Sequence, residues 1–188
     1  GCVFKLDITS CYFSPRLASD RIYVANLVKK AKAKKVLCMF SGVAPYPIIV
    51  GKIANPKEIL AVELGKECCK YAEENVRRNK LEGIIKTIQG DVKRVIPKLV
   101  AKKEKFDFIV MTRPNLKKSF FPYALKVAKK GTKFYYHGFS HESELQKLID
   151  NLDKEAKKEK RKIKFLNIRK IGEIAPYKYR YGIEIKVL

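Results

Sequence analysis

Short apolar runs alternate with amphipathic stretches along most of this chain. Val36-Leu37-Cys38-Met39-Phe40, Ile59-Leu60-Ala61-Val62 and Phe108-Ile109-Val110-Met111 are too continuously apolar for one-sided strands, the pattern of strands covered on both faces. Strands are expected over 36–40, 59–63, 84–89, 106–111 and 133–137. Between them apolar residues return at helical spacing, as Ile22, Ala25, Leu27, Val28 and Ala31 do for a helix over 20–35. Further helices are expected over 47–52, 66–79, 92–100, 120–127 and 142–159. Residues 2–13 alternate loosely through Val3, Phe4, Leu6, Ile8, Tyr12 and Phe13, and read as strand material before Pro15. The tail changes character: 164–169 and 179–187 are β-rich runs joined across Gly172 and Pro176, a closing antiparallel hairpin. The charge-dense stretch 154–164 reads as the solvated end of the long helix.

Alternating strands and helices predict an α/β fold, and open α/β sheets bind ligands beyond the carboxyl ends of their strands. Four strand ends therefore carry the candidate chemistry. The first runs into Phe40-Ser41-Gly42-Val43-Ala44-Pro45, where Gly42 supplies a backbone conformation other residues resist. Glu63 ends the next apolar run about twenty residues on, the layout of a nucleotide-binding βαβ unit with an acid for the ribose hydroxyls. A solvated acid at a strand end is the plainer alternative. Asp91 follows the third strand, placed to accept from an adenine amino group, to cap the helix over 92–100, or both. Phe40, Val43, Leu64 and Val92 complete the expected cofactor contacts. Thr112-Arg113-Pro114-Asn115 follows the fourth strand; Thr112 offers a hydroxyl, Pro114 stiffens the turn and Asn115 is an alternative donor or acceptor.

Charge narrows the substrate class. Lys and Arg number 42 against 19 Asp and Glu, a formal net charge of +23. Such an excess favours polyanions through phosphate neutralisation. A solubilising surface is the alternative, and a membrane surface fits less well because no basic helix carries a clean apolar face. Apolar residues are 46% of the chain, enough for one full core and too many for disorder. No run approaches a bilayer span and no signal peptide is visible, so a soluble, cytoplasmic protein is expected. The five cysteines form no C-x-x-C pair and read as reduced thiols. No metal site is expected, since His137 and His141 lack a third ligand. Tyr135-Tyr136-His137 ends the fifth strand, placed either to stack on a base or to pack the core.

One stretch is more specific. Phe13-Ser14-Pro15-Arg16-Leu17-Ala18-Ser19-Asp20-Arg21 resembles the Phe-Ser-Pro-Arg-Leu-x-x-Glu-Arg element of the archaeal and eukaryotic tRNA (guanine-N1) methyltransferases that act at position 37, beside the anticodon. The likeness continues through Met39–Pro45, Ala61-Val62-Glu63-Leu64, Glu74-Asn75, Asn79-Lys80, Gly90-Asp91-Val92, Phe134-Tyr135-Tyr136-His137 and Ala175-Pro176-Tyr177. It implies a class I, Rossmann-like S-adenosylmethionine-dependent methyltransferase, with a seven-stranded, mostly parallel sheet and a terminal antiparallel hairpin. It also implies S-adenosyl-L-methionine as cofactor and tRNA as partner, with residues 1–19 left from a preceding domain and 20–188 as the catalytic domain. Asp20 stands where the family's general base stands, one methylene shorter, and a helix N-cap is its alternative role. Arg16 is placed to support charge on the guanine O6, or to contact a phosphate, and Thr112 replaces an asparagine that orients the target base. Cys38 stands in place of an acid and Ala44 in place of a glycine.

The leading expectation is methyl transfer to guanine N1 at position 37 of tRNA by a monomer, with a separate tRNA-reading domain or subunit. Two alternatives stand beside it. One is the related wybutosine-pathway aminocarboxypropyl transferase, which Arg16 argues against because that branch more often carries Gly-Asn after the Phe-Ser. The other is a non-catalytic RNA-binding homologue, motivated by Cys38, Ala44 and Thr112.

Overall fold

The computed structural model describes residues 1–112, 115 and 119–188. Seven strands lie in the order β3-β2-β1-β4-β5-β7-β6. They are β1 (Lys35–Met39), β2 (Glu58–Glu63), β3 (Ile85–Gln89), β4 (Phe106–Met111), β5 (Ala128–His141), β6 (Ile163–Ala175) and β7 (Lys178–Val187). Pairs β1–β2, β2–β3 and β4–β5 are parallel, and β7 runs antiparallel to both its neighbours. This is the expected sheet, mostly parallel with one reversed strand in a terminal hairpin.

The chain divides into two compact units, Gly1–Val95 and Ile96–Leu188. In the first, α1 (Ala18–Lys30), α2 (Pro45–Ala54) and α3 (Lys66–Arg78) connect and cover β1–β3, and α4 (Val92–Ala101) begins where β3 has turned. Strand residues Val36, Leu37, Met39, Ile59 and Val62 are fully buried, as their uninterrupted apolar runs predict. Helix α2 starts on Pro45, tolerated at a first turn whose N–H groups have no helical partner, and buries Tyr46, Ile48 and Val50.

The second unit holds β4–β7, α5 (Phe121–Lys126) and α6 (Leu145–Lys158), so the helix expected to begin at 142 opens with a separate 3-10 turn over Glu142–Glu144. Phe121 packs edge-on against Phe134 and Tyr136, with ring centroids 5.2 and 6.1 Å away. That settles Tyr135 and Tyr136 as core, at 0% and 1% exposed. Strand β5 runs four residues beyond the expected end at His137, because Gly138 lets it pass under Leu148 of α6. Gly182 of β7 serves the same purpose for Tyr135, whose hydroxyl occupies the space a Cβ would need. Tyr135 has no room to retreat, so Gly182→Ala is expected to cost about 2–3 kcal/mol, read as a lowered denaturation midpoint at unchanged slope.

Two expectations fail at the amino terminus. Residues 2–13 form no strand; Val3 and Lys5 pair with side chains of α3 and its C-cap, and residues 8–11 form a turn and bend. Asn79 Oδ1 accepts from Val3 N–H at 3.1 Å, and its amide donates back to Val3 O at 2.7 Å. Asn75 repeats the exchange with Lys5, at 2.7 and 2.9 Å. Two asparagines one helical turn apart thus satisfy alternate residues of an extended chain, as a neighbouring strand would. The second correction concerns cysteine: Cys11 and Cys68 are joined as a disulfide, Cα atoms 5.5 Å apart, whereas reduced thiols were expected. Spacing along the chain carries no sign of it, since the pair is 57 residues apart. Among the described residues no helix is long and apolar enough to cross a membrane.

Candidate functional site

The turn between β1 and α2 is built from backbone that most residues avoid. Phe40, Gly42 and Ala44 all have positive φ, at 62°, 55° and 66°. For Ala44 this costs about 1 kcal/mol relative to glycine, which explains why a glycine is the usual occupant. The turn closes on itself through Ala44 N–H to Ser41 O (2.9 Å) and on β2 through Ser41 N–H to Val62 O (3.0 Å). A Cβ on Gly42 would meet only Tyr12 O, at 4.0 Å, so the backbone there is open to close approach.

Glu63 ties this turn to the end of β2. Its Oε2 accepts from Gly42 N–H at 2.7 Å and its Oε1 from Gly65 N–H at 2.8 Å. A single carboxylate therefore aligns two turns, and each oxygen keeps a second lone pair. It is a structural brace as well as a candidate ligand, more than the solvated acid that stood as the alternative. Leu64, next along, is 63% exposed although apolar. Gly90 N–H donates to Glu63 O at 2.8 Å, which sets the Asp91 turn beside the same strand end. Asp91 Oδ1 accepts from Lys93 N–H at 2.9 Å, so the capping reading is correct, and Oδ2 takes no hydrogen bond among the described residues. Val43 and Val92 are buried, at 0% and 4% exposed, and pack in the core. Ser41, which sequence reasoning passed over, is 5% exposed with its hydroxyl oxygen lacking a partner among the described residues.

Cys38 is 1% exposed, and burial pushes its thiol up, so this position carries no charge. His137 is buried against the Tyr135 ring, while the His141 Nδ1 accepts from Ser143 N–H. These are two separate structural roles.

The expected catalytic residues are placed differently from one another. Asp20 lies in the first turn of α1 rather than at its cap, which is Leu17, and is 0% exposed. Its Oδ2 accepts from the Tyr46 hydroxyl at 2.7 Å. Arg21 lies 5% exposed beside it, donates to Ser14 O at 2.7 Å, and stacks its guanidinium 4.6 Å over Phe13 and 5.7 Å from Tyr46. Burial lowers the Arg21 pKa, opposed by Tyr46 and Asp20. The Phe13–Arg21 element is thus a buried polar knot whose partner, Tyr46, was missed; a tyrosine inside a proline-flanked helix start was its only sequence signal. Arg16 is exposed, Thr112 is half-buried at the end of β4, and Asn115 is exposed. Arg113 and Pro114 lie outside the described residues.

A profile of the TRM5/TYW2 methyltransferase domain matches residues 1–164. The chain is 30% identical over its full length to a tRNA (guanine(37)-N(1))-methyltransferase, Trm5b, of Pyrococcus abyssi, and spans 53% of that protein. It is 27% identical, over 99% of its length and 72% of the relative, to a tRNA(Phe) (4-demethylwyosine(37)-C(7)) aminocarboxypropyltransferase of Methanocaldococcus jannaschii. Among solved structures, the Methanocaldococcus jannaschii Trm5 in complex with adenosine superposes with a TM-score of 0.84 at 27% identity. That likeness covers 100% of this chain and 54% of the other.

Proposed function

Since the chain belongs to the TRM5/TYW2 methyltransferase-domain family, we propose that it holds S-adenosyl-L-methionine on the turn after β1 and transfers its methyl to guanine N1 at position 37 of tRNA. The observation that carries this reading is the Glu63 carboxylate, which joins the Gly42 and Gly65 turns and keeps acceptor capacity for a sugar diol. The other residues of this unit suit an adenosyl group too. Leu64 is an exposed apolar cover, Asp91 Oδ2 is an acceptor for an amino group, and the buried Ser41 hydroxyl lacks a partner among the described residues. When bound, the cofactor supplies an electrophilic methyl.

The chain's own residues then have two tasks, positioning and proton removal. Guanine N1 loses a proton as the methyl arrives, and a general base contributes about 10²–10⁴-fold to such a step. Asp20 is our candidate for that base. Asp20 is 0% exposed and accepts from the Tyr46 hydroxyl, so the role requires that it become accessible when RNA binds. Exposed Arg16 is suited to an anionic oxygen or a phosphate, and the Thr112 hydroxyl to orienting the base.

The test is a methylation assay on tRNA with Asp20→Asn and Asp20→Ala. Loss of at least 10²-fold in kcat, with a flattened pH profile and a melting temperature kept by Asp20→Asn, is the expected outcome. Wild-type turnover in either variant removes Asp20 from the reaction.

Transfer of the larger aminocarboxypropyl group is the second reading, favoured by one observation. An aminocarboxypropyltransferase is 27% identical over 99% of this chain, and the matched domain family carries the names of both branches. Product mass separates the two.

A further inference from the structure

Resting on the reading that this chain works on RNA, we propose that one face of the hairpin tip, formed by Phe139, His141, Tyr177, Lys178 and Arg180, is a platform for unpaired bases of an RNA loop. The register places the residues side by side. Phe139 is opposite Arg180 and His141 opposite Lys178, and directly opposed residues of an antiparallel pair project on the same face. Tyr177, at the turn joining β6 to β7, is 65% exposed, its ring centroid 6.0 Å from that of His141. The Arg180 guanidinium sits 5.3 Å over the Phe139 ring, and its buried Nε has no hydrogen-bond partner among the described residues. An arginine plane laid on an aromatic ring presents its outer side to a further flat group, which is how unpaired bases are held.

The two faces of the tip differ in charge. On the other face, Lys170 stacks 4.1 Å from the Tyr179 ring but is paired with Glu142 at 2.6 Å, so its cation is already answered. The turn's own acid is also engaged, since Glu173 Oε1 accepts from Tyr177 N–H at 3.0 Å. Residues 163–187 carry the cations Lys164, Arg169, Lys170, Lys178, Arg180 and Lys186 and the acids Glu173 and Glu184. Rings interleaved with cations on an exposed sheet tip match a partner that is at once anionic and rich in π faces. A protein strand added to the β6 edge would use neither the rings nor the charge. An anionic membrane would use the charge but has no flat partners for the rings.

The experiment uses the full 188-residue chain with two probes, an RNA hairpin carrying an unpaired loop and a fully paired RNA duplex of equal length, read by fluorescence anisotropy. Tyr177→Ala is expected to weaken binding of the looped RNA about fivefold or more and to leave the duplex unchanged. Lys178→Ala and Arg180→Ala are each expected to weaken both probes and to reduce the slope of log affinity against log salt by about 0.7. Tyr177 and Lys178 are exposed, so their variants keep the wild-type melting temperature and guard against a folding artefact. Wild-type affinity and salt slope in all three variants overturn the platform. A titration with S-adenosylmethionine on the same samples keeps this apart from the functional reading. Hairpin-dependent RNA binding without cofactor binding overturns methyl transfer and leaves the platform standing, whereas cofactor binding with hairpin-independent RNA binding does the reverse.

Discussion

Glu63→Ala is expected to weaken S-adenosylmethionine binding by about 100-fold or more. Two losses combine. The variant removes the acceptor for Gly42 N–H and Gly65 N–H, which now hold the two turns at 2.7 and 2.8 Å. It also removes the carboxylate proposed for the ribose. Hydrogen bonds to a charged group are each worth about 1.5–3 kcal/mol, and about 1.4 kcal/mol is a factor of ten in affinity, so two such contacts account for the estimate. Stability should change far less, by about 1–2 kcal/mol, because turn N–H groups released at a half-buried site find water. Glu63→Gln sharpens the reading. Its amide oxygen still accepts from one turn, but its NH₂ then faces the other N–H, donor against donor, and affinity should fall nearly as far as with alanine. Isothermal calorimetry measures all three proteins. Near wild-type affinity in both variants would mean the cofactor sugar does not rest on this residue.

What could be read from the sequence was what local pattern controls. The runs at Val36 and Ile59 gave buried strands because a strand covered on both faces has no polar register to keep. Their ends marked the candidate site, because the acid of Ile-Leu-Ala-Val-Glu follows the last buried residue of β2. Asp91 was read as ligand, cap or both, and the cap is present. The misreadings all lie where a distant partner decides. The alternation in residues 2–13 is real, but its partners are two asparagine side chains 70 and 76 positions away. Asp20 was judged by its place in a motif, whereas its burial depends on Tyr46, which belongs to another helix. The extent of β5 was underestimated because Gly138, just past the expected end at His137, is what allows the strand to pass α6. Cys11 and Cys68 meet only because the amino-terminal segment lies along α3.

That segment yields the second large effect. Asn75→Ala is expected to destabilise the protein by about 2–4 kcal/mol, and to reach the cofactor turn as well as the terminus. Asn75 is 0% exposed, and its amide makes three bonds: from Lys5 N–H, to Lys5 O, and to Val43 O at 3.1 Å. Lys5 can recover water when the asparagine is gone. Val43 cannot, because it is fully buried, and a buried acceptor left without its donor costs about 1–3 kcal/mol; the vacated amide volume adds to this. For a chain of this size each kcal/mol lowers the melting temperature by about 2–4 °C, so a drop of roughly 5–15 °C should appear in circular dichroism melts run under reducing conditions, where Cys11–Cys68 cannot mask it. Asn79→Ala is the contrast. Asn79 bonds Val3 and the end of its own helix but nothing in the cofactor turn, so it should loosen the terminus and leave cofactor affinity within about twofold. Asn75→Asp refines this further, because a carboxylate accepts from Lys5 N–H yet offers no donor to Val43 O, and cofactor affinity should drop while the terminus stays partly held. If Asn75→Ala melts with the wild type, or if it and Asn79→Ala affect cofactor binding alike, the bond to Val43 is not what sets the turn, and the amino-terminal strap acts on the fold alone.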